Sequence, residues 1–173
     1  MRVLALGGIR SGKSAWAEAE IGGAGDPVRY IATGAVDSDA GWAARVSAHR
    51  DRRPPHWHTV ETRDVASELA SDPTTPTLVD DVGGWLVAAM DRCSAWTGGS
   101  ITDAADALMD AVGAFTGRLT LVSPEVGLSV VPATESGRLF ADALGEVNQR
   151  LAAVCDRVVL VVAGLPVVVK EGP

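Results

Sequence analysis

Residues 3–14 read Val3-Leu4-Ala5-Leu6-Gly7-Gly8-Ile9-Arg10-Ser11-Gly12-Lys13-Ser14. A short apolar run, suited to a buried parallel strand, leads directly into the pattern G-x-x-x-x-G-K-[ST]. Ala15-Trp16-Ala17-Glu18-Ala19-Glu20 follows and is rich in helix formers. In such a strand–loop–helix unit the glycines let the chain curl so that backbone N–H groups face phosphate oxygens. The Lys13 ammonium reaches the β and γ phosphates, and the Ser14 hydroxyl is placed to ligate Mg²⁺. The helix adds the positive end of its dipole. Gly7, Gly8, Ile9, Arg10, Ser11, Gly12, Lys13 and Ser14 are therefore expected to contact a nucleoside triphosphate.

The rest of the chain repeats the alternation. Val28–Thr33, Thr77–Asp80, Leu119–Val122, Val158–Ala163 and a short Val167–Val169 read as strands. Helical patterns fill the gaps: about 41–50, Trp85–Arg92, Asp103 towards Phe115 with Thr102 as cap, and Glu135–Val154. In the last, Leu139, Phe140, Ala143, Leu144, Val147 and Leu151 recur at three- and four-residue spacing. Ser71–Pro76 and Ser94–Thr102 read as surface loops. The expected fold is α/β, a RecA-like P-loop NTPase of three layers with a mostly parallel sheet, and residues 1–173 form a single domain. Ligands then bind at the carboxyl ends of the strands, where the phosphate loop, Thr33 and Asp80 fall.

A net charge of −7 argues against a broad nucleic-acid surface. No apolar run approaches a membrane span, and with phosphate-binding residues from position 7 no cleaved leader is expected. Cys93 and Cys155 are not a metal-spaced pair and read as free thiols in a reducing cytoplasm.

Asp80 closes an apolar strand, where such folds place the Mg²⁺-associated acid; Asp81 faces the other way, and Asp80 is preferred. His49-Arg50-Asp51-Arg52-Arg53-Pro54-Pro55-His56-Trp57 is a basic run in an acidic chain. Its arginines suit phosphate, and cations beside a histidine favour the neutral, nucleophilic imidazole. His56 and His58 read as surface or packing residues, and Trp57 as a packing anchor. On residues alone, a plain small-molecule kinase of this fold stays open beside a nucleotidyl transferase, and a nucleotide-dependent switch stays open as a weaker reading.

The phosphate loop, His49-x-x-x-Arg53-Pro54 with Trp57 and Glu61 behind it, Asp80, Glu125-Val126-Gly127 leading to Val131-Pro132, and Val147-Asn148-Gln149-Arg150-Leu151-Ala152 together resemble the bifunctional adenosylcobinamide kinase / adenosylcobinamide-phosphate guanylyltransferases of cobalamin synthesis. The resemblance spans essentially the whole chain. It implies phosphorylation of adenosylcobinamide by ATP or GTP. Transfer of GMP from GTP through a histidine to adenosylcobinamide phosphate follows. His49 matches that histidine, and Lys13 serves catalysis. Nucleotide contacts carry over to Gly7–Ser14, Thr33, Gly34, Ala35, Asp51, Arg52, Arg53, Pro54, Glu61 and Asp80, with Mg²⁺ on Ser14 and Asp80. The resemblance also implies a cytoplasmic homotrimer. Three positions depart from the usual pattern: Ala48 where some members have histidine, Pro124 where asparagine is frequent, and Gly83-Gly84 where polar or bulkier residues are usual.

Overall fold

Apolar strands without alternation need neighbours on both edges and both faces, and β1 (Arg2–Gly7) has them. In the computed structural model, which describes residues 1–22, 26–34 and 54–172, β1 lies inside a seven-stranded sheet. The other strands are β2 (Arg29–Ala32), β3 (His58–Glu61), β4 (Thr77–Asp80), β5 (Leu119–Pro124), β6 (Arg157–Val162) and β7 (Leu165–Lys170). Their order is β3-β2-β4-β5-β1-β6-β7. Every neighbouring pair is parallel except β6 with β7.

The described helices are α1 (Lys13–Ile21), α2 (Val65–Ser71), α3 (Val82–Arg92), α4 (Thr102–Ala114) and α5 (Glu135–Val154). They divide between the two faces. Ala17 and Ile21 of α1 pack with Ala5, Tyr30, Leu78, Val122 and Val159. Buried residues of α2, α3, α4 and α5 pack on the opposite face around Leu4, Ile31, Val79, Leu121 and Val158. Connections that run one way along the sheet use one face, and the α1 connection, which runs the other way, uses the opposite face. A constant crossover hand requires this. The outcome is the expected three-layer α/β arrangement with a mostly parallel sheet.

Local chemistry explains the element ends. Asp81 caps α3, its carboxylate accepting from Gly84 N at 2.8 Å, so that helix begins at Val82 rather than Trp85. Thr134 caps α5 by accepting from Gly137 N at 3.1 Å, and α5 runs over the expected residues. Thr102 is not a cap: it is the first helical residue of α4, and Ser100 Oγ accepts its N–H at 3.1 Å. The last strand extends beyond Val167–Val169 to Leu165–Lys170. In the Ser94–Thr102 loop, Ala95–Thr97 form a 3₁₀ turn.

Two elements escape a reading by apolar runs. β3 (His-Thr-Val-Glu) holds one aliphatic residue and becomes a strand because β2 pairs with it residue for residue. α2 is 7 residues long, with Asp64 as N-cap and only Val65 and Leu69 buried. The helix expected over 41–50 lies outside the described residues.

Asp156 fastens the amino terminus to the α5–β6 junction. It accepts from Arg2 N and Arg2 Nη2, each at 2.7 Å. The Arg2 side-chain hydrogen bond, helped by the Arg2 backbone N–H, holds its carboxyl down at about 2, below the ordinary 3.8. The depressed value means the contribution is complete above pH 3.8 and lost as pH falls through about 2. Asp156→Asn is expected to lower stability near neutrality by about 1 kcal/mol. It is also expected to flatten the acid limb in urea titrations across that pH interval. An unchanged acid limb would refute the assignment.

Candidate active site

The phosphate loop begins where β1 ends. Two of its residues, Arg10 (φ 56°) and Gly12 (φ 91°), lie in the left-handed region, which turns the chain sharply before α1. Ser11 N donates to Gly8 O at 3.2 Å, closing the turn. Gly8, Ile9 and Arg10 are exposed, whereas Gly7 is buried. Lys13 Nζ donates to Gly8 O at 3.4 Å, so the ammonium folds back over the loop.

The loop is braced from behind by the β6–β7 turn. Gly164 N donates to Ser11 O at 2.7 Å. A Cβ on Gly12 would meet Gly164 Cα at 3.0 Å. The turn residues Ala163 (φ 52°) and Gly164 (φ 81°) are themselves left-handed, the pattern of a tight two-residue hairpin. On the other side Glu125 N donates to Gly7 O at 3.0 Å.

Beside the loop, β2, β3 and β4 end in register. Ala32 is opposite both Glu61 and Asp80. The carboxyl ends therefore bring Thr33, Gly34, Glu61 and Asp80 to the edge where α1 begins. Ser14 Oγ donates to Asp80 Oδ1 at 3.2 Å, and Tyr30 Oη donates to Asp80 Oδ2 at 2.5 Å. Asp81 serves a different purpose, as the cap of α3. Burial first, and the neighbouring Asp80 carboxylate second, push its carboxyl above the usual range. Thr33 Oγ1 donates to Asp81 O at 2.6 Å and accepts from Asp81 N at 3.0 Å.

Ser14 and Asp80 offer a hydroxyl and a carboxylate, hard oxygen donors of the kind Mg²⁺ takes together with substrate phosphates. No cluster of three or more His, Cys, Asp or Glu suited to a metal occurs among the described residues. The donor set thus fits a cation shared with a nucleotide rather than one caged by protein alone.

The glycine pair at the start of α3 has a steric role. A Cβ on Gly84 would lie 2.7 Å from Thr33 Oγ1, and one on Gly83 would lie 3.0 Å from Pro124 Cγ. The glycine pair lets α3 press against the ends of β2 and β5. Asn148 lies beneath this contact, 6 % exposed, and is a residue to which the sequence assigned no task. It donates to Pro124 O at 3.0 Å and accepts from Ser123 Oγ at 2.6 Å, tying α5 to the end of β5.

Trp57 packs its ring beside Tyr30, centroids 6.4 Å apart, and is buried as a packing anchor. His56 and His58 are exposed, and Pro54 is half-buried. Ala35, His49, Asp51, Arg52 and Arg53 lie outside the described residues.

Gly12→Ala is expected to weaken triphosphate binding at least tenfold, since a side chain there is strained by the left-handed φ and meets the Gly164 backbone. Calorimetric titration with a non-hydrolysable triphosphate checks this, and wild-type affinity in the variant would contradict the bracing role of the hairpin.

The model of the family described as cobinamide kinase / cobinamide phosphate guanyltransferase matches residues 3–169. The chain is 40 % identical over 176 residues to the bifunctional adenosylcobalamin biosynthesis protein CobP of Pseudomonas aeruginosa, covering 100 % of this chain and 99 % of that one. It is 40 % identical over 190 residues to the bifunctional adenosylcobalamin biosynthesis protein CobU of Salmonella typhimurium, covering 98 % of this chain and 100 % of that one. With the CobU protein of Escherichia coli the identity is 36 %, over the same shares. Among solved structures, the P4 protein from bacteriophage phi6 in complex with ADP superposes with a TM-score of 0.47 at 16 % identity. That alignment covers 95 % of this chain and spans about half, 52 %, of the phage protein, and so slight a likeness carries no functional weight.

Proposed function

As the chain belongs to the cobinamide kinase / cobinamide phosphate guanyltransferase family, we propose that it carries out both reactions on one triphosphate-binding site. In the first, the aminopropanol hydroxyl of adenosylcobinamide attacks the γ-phosphorus of ATP or GTP, and the nucleoside diphosphate leaves. In the second, the neutral imidazole of His49 attacks the α-phosphorus of GTP. Pyrophosphate leaves and a histidine–GMP phosphoramidate forms. A phosphate oxygen of adenosylcobinamide phosphate then displaces His49 and takes GMP, giving adenosylcobinamide-GDP.

The observation that carries this reading is the match over almost the whole chain to a family defined by both activities. The geometry supports it. Gly7–Ser14 offers a curled loop at a helix N-terminus, with Lys13 folded over it. Phosphoryl transfer depends mainly on positioning and charge stabilisation, which Lys13 and the arginines that flank His49 in the sequence would supply. Mg²⁺, held by Ser14 and Asp80, would neutralise charge on the phosphates. Thr33, Gly34, Ala35, Asp51, Arg52, Arg53, Pro54 and Glu61 complete the proposed nucleotide contacts. Splitting nucleotidyl transfer through His49 replaces one difficult displacement by two easier ones.

We place residues 1–173 in one working domain, in the cytoplasm, where the free thiols of Cys93 and Cys155 are at home. We also propose a homotrimer. The edge strand β7 leaves Leu165, Val167 and Val169 between 53 % and 69 % exposed, an apolar edge that a second copy would cover.

Incubation with α-labelled GTP and Mg²⁺, followed by denaturation, tests the central step. Label is expected to remain on the protein, to be lost in acid, to survive base, and to be absent from His49→Ala. Lys13→Ala should impair both reactions, whereas His49→Ala should leave phosphorylation of adenosylcobinamide within about twofold of wild type, the partition expected when one residue serves only one of two displacements. A folded, GTP-binding preparation without covalent label would sink the transferase mechanism.

A further inference from the structure

We propose that Tyr30 is a positioning residue for the metal-binding carboxylate of Asp80. The inference rests on the reading of Asp80 as a Mg²⁺ ligand and assigns the group that aims it. Strand register creates the contact. Tyr30 of β2 is opposite Leu78 of β4. Asp80 stands two residues beyond Leu78 and so shares its face of the sheet. Tyr30 and Asp80 are thus a diagonal cross-strand pair, a spacing that only a long side chain bridges. The phenol bridges it, with Oη 2.5 Å from Asp80 Oδ2.

Among the described residues, the two carboxylate oxygens accept from different donors. Oδ1 accepts from Ser14 Oγ, which belongs to the loop, and Oδ2 accepts from Tyr30 Oη, which belongs to the core. Ser14 is also a proposed metal ligand, so its bond to Asp80 is the one that a cation reorganises. The Tyr30 bond is free of that conflict. Tyr30 is 1 % exposed, and its ring lies beside Trp57, so its hydroxyl is held at a fixed height above the sheet. A phenol donating to one oxygen fixes the carboxylate plane and turns the other oxygen towards α1. Metal sites depend on such outer partners, whose removal costs about 10–100-fold in metal affinity or activity.

The chain contains one tyrosine, Tyr30, which makes the test unusually direct. Mn²⁺ serves as the probe, titrated by electron paramagnetic resonance into the full chain with a non-hydrolysable GTP analogue. Tyr30→Phe keeps the ring and removes the donor. It is expected to weaken Mn²⁺ binding about tenfold, while affinity for the analogue without metal stays within twofold. In parallel, uniform 3-fluorotyrosine labels position 30 alone in an otherwise unchanged chain. Its single ¹⁹F resonance is expected to shift when Mg²⁺ is added to the analogue complex, and not in Asp80→Asn.

Wild-type Mn²⁺ affinity in Tyr30→Phe, together with an Asp80→Asn variant that loses the metal, overturns the role of Tyr30 alone. A ¹⁹F resonance indifferent to Mg²⁺ overturns it even where Tyr30→Phe does not fold. Wild-type Mn²⁺ affinity in Asp80→Asn overturns the metal reading beneath it as well.

Discussion

The parallel register of β2, β4, β5 and β1 is the constraint from which the site follows. Backbone ladders set Ala32 opposite Asp80, Asp80 opposite Val122, and Gly7 opposite Pro124. The ends of β2 and β4 therefore form a ledge beside β1 and β5, which run two residues further. A one-residue slip of β4 would turn Asp80 to the other face and bring Asp81 or Val79 towards α1. Because Leu78 and Val79 are buried on opposite faces, such a slip would also break both halves of the core. The hydrophobic pattern thus protects the placement of a carboxylate that contributes nothing to that pattern.

Close approach at the ledge is the second requirement. Two backbone segments meet the loop, the β6–β7 turn through Gly164 and the end of β5 through Glu125, and the start of α3 meets the ends of β2 and β5 through Gly84 and Gly83. Each meets a neighbour with no room for a side chain or with a backbone hydrogen bond in place of one. Pro124 and Gly83 are complementary in this sense. The ring fills space that a Cβ at position 83 would need, so the two residues read as one packing solution. Asn148 then holds the end of β5 from the α5 side and satisfies two polar atoms that burial would otherwise leave costly.

Much of this was legible in the sequence, for identifiable reasons. The phosphate loop, the apolar strands and α5 each carry a signal in consecutive residues. Asp80 and Asp81 take different partners, Asp80 beside Ser14 at the strand end and Asp81 as the cap of α3, and the metal role read for Asp80 in the sequence stays a proposal. The misses are of another kind. β3 exists through its partner strand, and α2 through two buried side chains and one cap. The helix starts one residue earlier than its threonine suggests, because Ser100 Oγ already accepts the Thr102 N–H. Asn148 could be recognised from its motif but not assigned a task, since its partners Ser123 and Pro124 lie more than twenty residues away. Hydrogen bonds of that range belong to the fold and not to any window of sequence.

Tyr30 joins these two categories. Read locally, it is a core aromatic in a buried strand, and its ring does pack against Trp57. Read through the register, its hydroxyl reaches the ledge. An aromatic with a polar tip suits this place because one end can be dry while the other serves a polar group. The consequence is a mechanical link between the hydrophobic face under α1 and the carboxylate beside Ser14. A change that loosens the Tyr30–Trp57 packing does not stay in the core. It displaces a hydroxyl that donates to Asp80, and, under the proposed metal reading, the carboxylate offered to a cation with it. Packing on that face and the placement of the Asp80 carboxylate are thus coupled through the Tyr30 side chain.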